Sequence, residues 1–226
     1  MRVFAIGDLH LSFSCDKPMD VFGGAWDDHV ARLARAWRAT VSAEDLVLIP
    51  GDISWAMHLS EAAADLAFIG GLPGKKALLR GNHDYWWNSV SQVRAALPAG
   101  VCAIQNDALL LDGVSVGGTR LWTMPNAQTS ANDEKIYARE LGRLELSLSR
   151  MGEGGVRIAM LHFPPFDEAH GDTAVTALLE RYRVQHAVYG HLHGKAHHAA
   201  FTGEKNGVQY HFVAGDYLQF CPKQIL

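Results

Sequence analysis

The sequence predicts an α/β fold: two β-sheets packed together, with helices on the outside. Three observations carry this reading. Short apolar runs alternate with amphipathic helical stretches over residues 2–97, strands crowd the middle of the chain, and strands close it. With 226 residues, the chain is long enough to bury a substantial core. It contains no linker, repeat or low-complexity segment, so one domain over 1–226 is expected.

Residues 2–6 read as the first strand. A helix follows over 27–40, where Val30, Leu33, Ala34 and Trp37 recur at i, i+3, i+4 and i+7. Leu46-Val47-Leu48-Ile49 is a buried strand closed by Pro50-Gly51. A short helix over 61–69 is stopped by Gly70-Gly71 and Pro73. Residues 77–79 form the next strand, and a helix over 88–97 ends at Pro98. Strands are expected at 101–104, 109–111 and 114–116, with Asp112-Gly113 as a hairpin signal. A long helix over 132–151 aligns Tyr137, Leu141, Leu144 and Leu148. A strand at 156–161, a helix at 175–182 and a strand at 187–189 come next. Two last strands, 196–202 and 208–214, are joined by a Gly-containing turn. The apolar tail 217–226 is expected to pack on the core or on a second subunit.

Composition narrows the function classes. A chain 48% hydrophobic and 19% charged is globular rather than disordered. A net charge of -4 gives no general attraction to nucleic acid or anionic membrane. No apolar window reaches membrane-span length, and Gly7-Asp8 cuts short any signal-peptide core. Cys15, Cys102 and Cys221 are odd in number and lack a CxxC spacing, so a disulfide framework is not expected and a cytoplasmic location is.

Five short motifs follow strand-like runs: Asp8-Leu9-His10, Gly51-Asp52, Gly81-Asn82-His83-Asp84, Leu161-His162 and Gly190-His191-Leu192-His193. Ligands in α/β folds sit beyond the carboxyl ends of strands. Asp8 and His10 face the same way in an extended segment and can share one cation. Asp52 has two oxygens and can bridge two. Asn82 offers a neutral carbonyl oxygen, His83 is free for proton work, and Asp84 is placed to hold its ring. His162 and the His191/His193 pair complete a mixed N/O set suited to divalent cations. Singly, each motif is also a capping turn or a solvated loop. His29 and His58 read as helix or loop surface, and His197-His198 as a solvated strand edge.

In this order the five motifs resemble the calcineurin-like metallophosphoesterase superfamily, from Asp8 to His193. The resemblance implies a metallo-dependent phosphatase-like sandwich of two mixed sheets flanked by helices. It implies a dinuclear site: Asp8, His10 and His193 on one metal, Asn82, His162 and His191 on the other, and Asp52 bridging. His83 would contact the substrate phosphate or protonate the leaving group, with Asp84 orienting it. Two divalent ions, manganese first and iron, zinc or cobalt as further options, would hold the attacking hydroxide.

The chain departs from protein Ser/Thr phosphatases, which carry Asp-Arg where this chain has Trp55 and Ala56 and end the third motif in Glu rather than Asp84. Both differences point to phosphodiesterases and small phosphohydrolases. The stretch 51–56, together with 16–20, resembles a bacterial subgroup of predicted phosphohydrolases. The expected substrate is a phosphodiester or small phosphorylated metabolite. The alternatives are a protein phosphatase and a non-catalytic scaffold, and the intact ligand set argues against the scaffold. Trp86 and Trp122 are candidates to stack a nucleobase, and Arg120 or Lys17 to bind a second phosphate. Packing of the aromatics around the site is the competing expectation.

Overall fold

Alternation along the strands decides how the layers stack. A computed structural model describes residues 1–167 and 169–226. One sheet comprises β1 (Val3–Ala5), β2 (Leu46–Pro50), β3 (Lys75–Leu79), β4 (Val101–Ile104) and β11 (Lys223–Gln224), in the order β11-β1-β2-β3-β4. The other comprises β5 (Ala108–Leu111), β6 (Val114–Thr119), β7 (Val156–Leu161), β8 (His186–Tyr189), β9 (Gly203–Lys205) and β10 (Val208–Phe212), in the order β5-β6-β7-β8-β10-β9. Both are mixed: parallel inside, with antiparallel edges at β11, β5 and β9. The expected two-sheet mixed sandwich is therefore present.

Even and odd positions of each strand face different cores. Val3, Ala5, Leu46 and Leu48 point inward and meet Ile158, Met160 and Val188 of the second sheet. Phe4, Val47 and Ile49 point outward, onto Leu33 and Trp37 of α1 (His29–Thr40) and Leu66 and Ile69 of α2 (Leu59–Gly70). On the opposite flank Ala159, Leu161 and Tyr189 meet Leu144 and Leu148 of α4 (Ala131–Ser149) and Val175 and Leu179 of α5 (Ala174–Arg181). With both faces of each sheet covered, the inner strands read as continuous apolar runs. The remaining helix, α3 (Val90–Ala96), covers the edge beside β4. Among the described residues no helix is long and apolar enough to cross a membrane.

Two expectations are corrected. Residues 196–202 are not a strand: Gly194–Ala199 wind into a 3-10 helix, and the strand comes at Gly203–Lys205. The cause is Asp216. Its carboxylate contacts both His193 and His197. Four residues of strand would separate those rings by roughly 13 Å, and winding brings them together. The hairpin that follows turns at Asn206-Gly207, both at positive φ (52° and 81°), as a two-residue hairpin requires. His29 is the second correction. It is buried, against Trp26 and Phe220, rather than on the surface. Of the two placements open for the tail, the structure shows the core: Phe220 is fully buried and Lys223–Gln224 pairs with β1.

Candidate metal centre

All five motifs lie at the carboxyl ends of β1, β2, β3, β7 and β8. The loops after β1 and β2 continue side by side, with Asp8 N donating to Gly51 O (3.0 Å) and His10 N to Asp52 O (3.0 Å). Asp8, His10, Asp52 and His191 all have positive φ (54°, 45°, 50° and 75°). Left-handed backbone is costly for residues other than glycine and concentrates at functional sites. Two glycines make room for the carboxylates. A Cβ on Gly81 would overlap Asp52 Oδ1, and one on Gly190 would overlap Asp8 Oδ2.

The side chains converge as two groups. Ligand atoms of Asp8, His10 and His193 lie within 4.8 Å of one another, as do those of Asp52, His162 and His191. His10 Nε2 and His193 Nε2 face each other at 3.4 Å, and Asp8 Oδ1 lies 3.6 Å from His193 Nε2. Asn82 Oδ1 lies 2.6 Å from His162 Nε2 and 3.0 Å from His191 Nδ1. Asp52 reaches both groups, with Oδ1 3.4 Å from His162 Nε2 and Oδ2 3.8 Å from His10 Nε2.

These residues fit a pair of divalent cations. His10 Nε2 and His193 Nε2 both point into the cluster, and the buried His10 Nδ1 has no partner among the described residues. Outer contacts fix the rings: His162 Nδ1 donates to Pro50 O (3.0 Å) and His193 Nδ1 to Asp216 Oδ1 (2.9 Å). The electrostatics point the same way. Burial pushes Asp8 up to about 7 and drives His10 and His191 down to about 3. Burial also disfavours a charged His162, yet Asp52 and Asp8 hold its imidazolium up to about 9. Asp52 is held far below the usual carboxylate range despite its burial, chiefly by His162. A cluster of this kind attracts positive charge.

Other candidates fall elsewhere. Asp84 does not hold His83. Its carboxylate accepts from Ile53 N (2.9 Å), Ser54 N (3.1 Å), Gly81 N (2.7 Å) and Trp86 Nε1 (3.0 Å), bracing the loops after β2 and β3. His83 Nδ1 is buried without a partner among the described residues, the ring lies 4.6 Å from Trp55, and burial lowers its pKa. Trp86 is 1% exposed and packed in the core, so it offers no surface for stacking. Trp55 does line the site, stacked on His10 at 4.8 Å, with Lys17 Nζ 5.9 Å from its ring. Trp122 and Phe163 line a groove of about 1,070 Å³ that opens onto His191. Arg120 stacks on Trp122 at 4.7 Å, and its Nε lies 3.6 Å from Glu140.

Sequence reasoning missed Asp216, which holds His193 and accepts from Gly194 N (3.1 Å). Its signal was available, since Gly215-Asp216 follows a strand just as Gly51-Asp52 does.

Known proteins resemble this chain in part of its sequence or in its fold. Two phage proteins match in sequence: the Gene 66 protein of Mycobacterium phage L5 (43% identical over 77 residues) and that of Mycobacterium phage D29 (37% over 83). These matches cover 34% and 37% of this chain, and only 37% and 40% of the phage proteins. The phosphopantetheinyl hydrolase PptH of Mycobacterium tuberculosis superposes with a TM-score of 0.62 at 15% identity, covering 100% of this chain and 95% of that one. The Aquifex aeolicus protein AQ665 gives 0.52 at 11% identity, over 99% and 95% of the two chains. At such identities the likeness concerns the fold. The calcineurin-like phosphoesterase family matches residues 1–195, which takes in all five motifs, and the chain belongs to that family.

Proposed function

We propose that the protein is a phosphohydrolase dependent on two divalent metal ions, acting on a phosphodiester or a small phosphorylated metabolite, with diesters preferred. The observation that carries this is the pair of ligand groups joined by Asp52. Asp8, His10 and His193 would hold one ion, and Asn82, His162 and His191 the other. Bound there, the ions would supply Lewis acidity for hydrolysis at phosphorus. The mixed N/O set suits manganese, with iron, zinc or cobalt as substitutes.

The protein's own groups do the rest. His83, beside Trp55 and 6.0 Å from the His10 ring, contacts the substrate phosphate or passes a proton to the leaving oxygen. Asp84 keeps the loops that bear Asp52 and Asn82 together. The groove beside His191 takes the organic part of the substrate, and its Trp122, Phe163, Pro164 and Leu192 suit a compact, largely apolar group. The M. tuberculosis neighbour is a phosphopantetheinyl hydrolase, which is in keeping with a hydrolytic role. Trp55 and Ala56 stand where protein phosphatases carry Asp-Arg, which weighs against that alternative.

The test is a paired rate assay on Mn²⁺-loaded protein with a chromogenic phosphodiester and its monoester. The diester should turn over faster, and Asp52→Asn should nearly abolish both rates. Turnover of the monoester alone would overturn the diester preference. No turnover of either, with both ions bound, would overturn the enzyme reading.

A further inference from the structure

A second polar cavity lies beside the metal centre, between the ends of β3 and β6 and helix α4. It has a volume of about 100 Å³, and Arg80, Asn88, Thr119, Arg120, Glu140 and Arg143 line it. Arg80 directly precedes Gly81-Asn82, and the carbonyl of Arg120 accepts from Phe163 N (2.8 Å), next to His162. The cavity therefore shares its walls with the loops that carry the ligands.

Its charges do not balance. Glu140, 1% exposed, is the one acidic side chain in the lining among the described residues. Its Oε2 accepts from Thr119 Oγ1 (2.6 Å) and its Oε1 from Arg143 Nη1 (2.7 Å). Arg120 and Arg139 reach Oε1 only at 3.6 and 3.8 Å. Arg80 Nε is buried without an acceptor among the described residues. Glu140 thus serves Arg120 and Arg143, while Arg80 faces both Glu140 and Asp84, and the Asp84 carboxylate is already taken up by four N–H donors. Buried cations left unpaired are costly, and arginine forks suit carboxylates and phosphates. The volume admits a tetrahedral oxyanion but not a nucleoside-sized ligand.

We propose that this cavity binds an oxyanion of phosphate size, held by Arg80, Arg120 and Arg143, with Glu140 as the internal counter-charge that keeps the guanidiniums folded inward. The anion is either a second phosphoryl group on the substrate or free phosphate. The site itself does not depend on the metal centre. Only its use as a substrate subsite rests on the phosphoesterase reading.

Inorganic phosphate is titrated calorimetrically into the full chain, metal-loaded and after chelation, in wild type, Arg80→Gln, Arg120→Met and Glu140→Gln. Binding at the arginine cavity survives chelation. Arg80→Gln and Arg120→Met weaken it tenfold or more, the loss expected for a charge-assisted hydrogen bond. Glu140→Gln tightens it severalfold, which a purely structural network would not do. Thermal melts without phosphate show which variants are folded, and Arg80→Gln alone suffices if the buried Glu140 does not tolerate change. Binding that vanishes on chelation, or folded arginine variants with wild-type affinity, would overturn the proposal. The two sources separate kinetically. A raised KM in Arg80→Gln for a doubly phosphorylated ester only, with singly phosphorylated esters unaffected, assigns the cavity to substrate. An altered response to added phosphate only assigns it to the free ion.

Discussion

Asp216→Asn isolates one outer contact of the metal centre while keeping its shape. Asp216 Oδ1 accepts from His193 Nδ1 at 2.9 Å, and Oδ2 from Gly194 N at 3.1 Å. His197 Nε2 lies 3.0 Å from Oδ2. Burial disfavours a charged His193, yet the Asp216 hydrogen bond and the nearby carboxylates raise its pKa overall, making Nε2 a better donor to a cation. The amide keeps the bond to Nδ1 but removes the charge, and its NH2 faces the Gly194 N–H. Loss of such an outer partner weakens metal affinity about ten- to a hundredfold, or roughly 1.4–2.8 kcal/mol. Only the ion held by Asp8, His10 and His193 should be affected. Competition against a chromophoric chelator should show one weakened site and one unchanged, with activity restored by excess metal and the substrate KM unaltered. Two sites of wild-type affinity would refute the idea that Asp216 tunes His193. Equal weakening of both would show that the substitution had disturbed the whole cluster.

Three further outcomes are expected. His83→Gln should lower the turnover rate by about a hundredfold while metal content by elemental analysis stays at wild-type levels; parallel losses of both would move His83 into the ligand set. Gly81→Ala should abolish metal binding in folded protein, because the new methyl group occupies the space of Asp52 Oδ1; an intact two-metal site in the variant would refute the close approach. Arg2→Met tests linkage at the start of β1. Burial opposes ionisation of Asp45, but Arg2 and the Ser42 N–H bring it down to about 2. The folded value lies below the unfolded one, so this stability is present above about pH 4 and lost as pH falls through 2. Arg2 is 45% exposed, which limits the pair to about 1 kcal/mol. Denaturant melts of wild type and Arg2→Met should differ by that amount at pH 6 and draw together as the pH falls through about 2.

What was legible in the sequence was whatever has a period or a strand-end position. The inner strands were readable because alternate residues serve different cores, so that Val3 and Ala5 face one way and Phe4 and Ile6 the other. The residues of the cluster were readable because each stands just beyond such a run. Adjacency misled in two places. Asp84 follows His83, but it points back beneath the loop to gather four N–H donors. Trp86 follows the same motif and is buried. Residues 196–202 look like a strand until Asp216, distant in sequence, draws His193 and His197 to one carboxylate. No local pattern records a contact of that kind.

The left-handed residues explain why the centre is built at strand ends at all. A strand sends successive side chains to opposite faces, so Asp8 and Asp52 would otherwise continue the alternation into one core or the other. Positive φ at Asp8, His10, Asp52 and His191 turns each side chain out of that alternation and into the crevice between the sheets. Each costs on the order of 1 kcal/mol for a residue other than glycine. Parallel pairing absorbs the cost: Asp8 N and His10 N are tied to the loop after β2, and His191 N to the Asp8 carboxylate (3.1 Å). The geometry of the cluster is thus set by backbone that packed strands hold in place. The same fact makes Gly81 and Gly190 part of the centre, because only residues without a Cβ let Asp52 and Asp8 lie so close to the neighbouring loops.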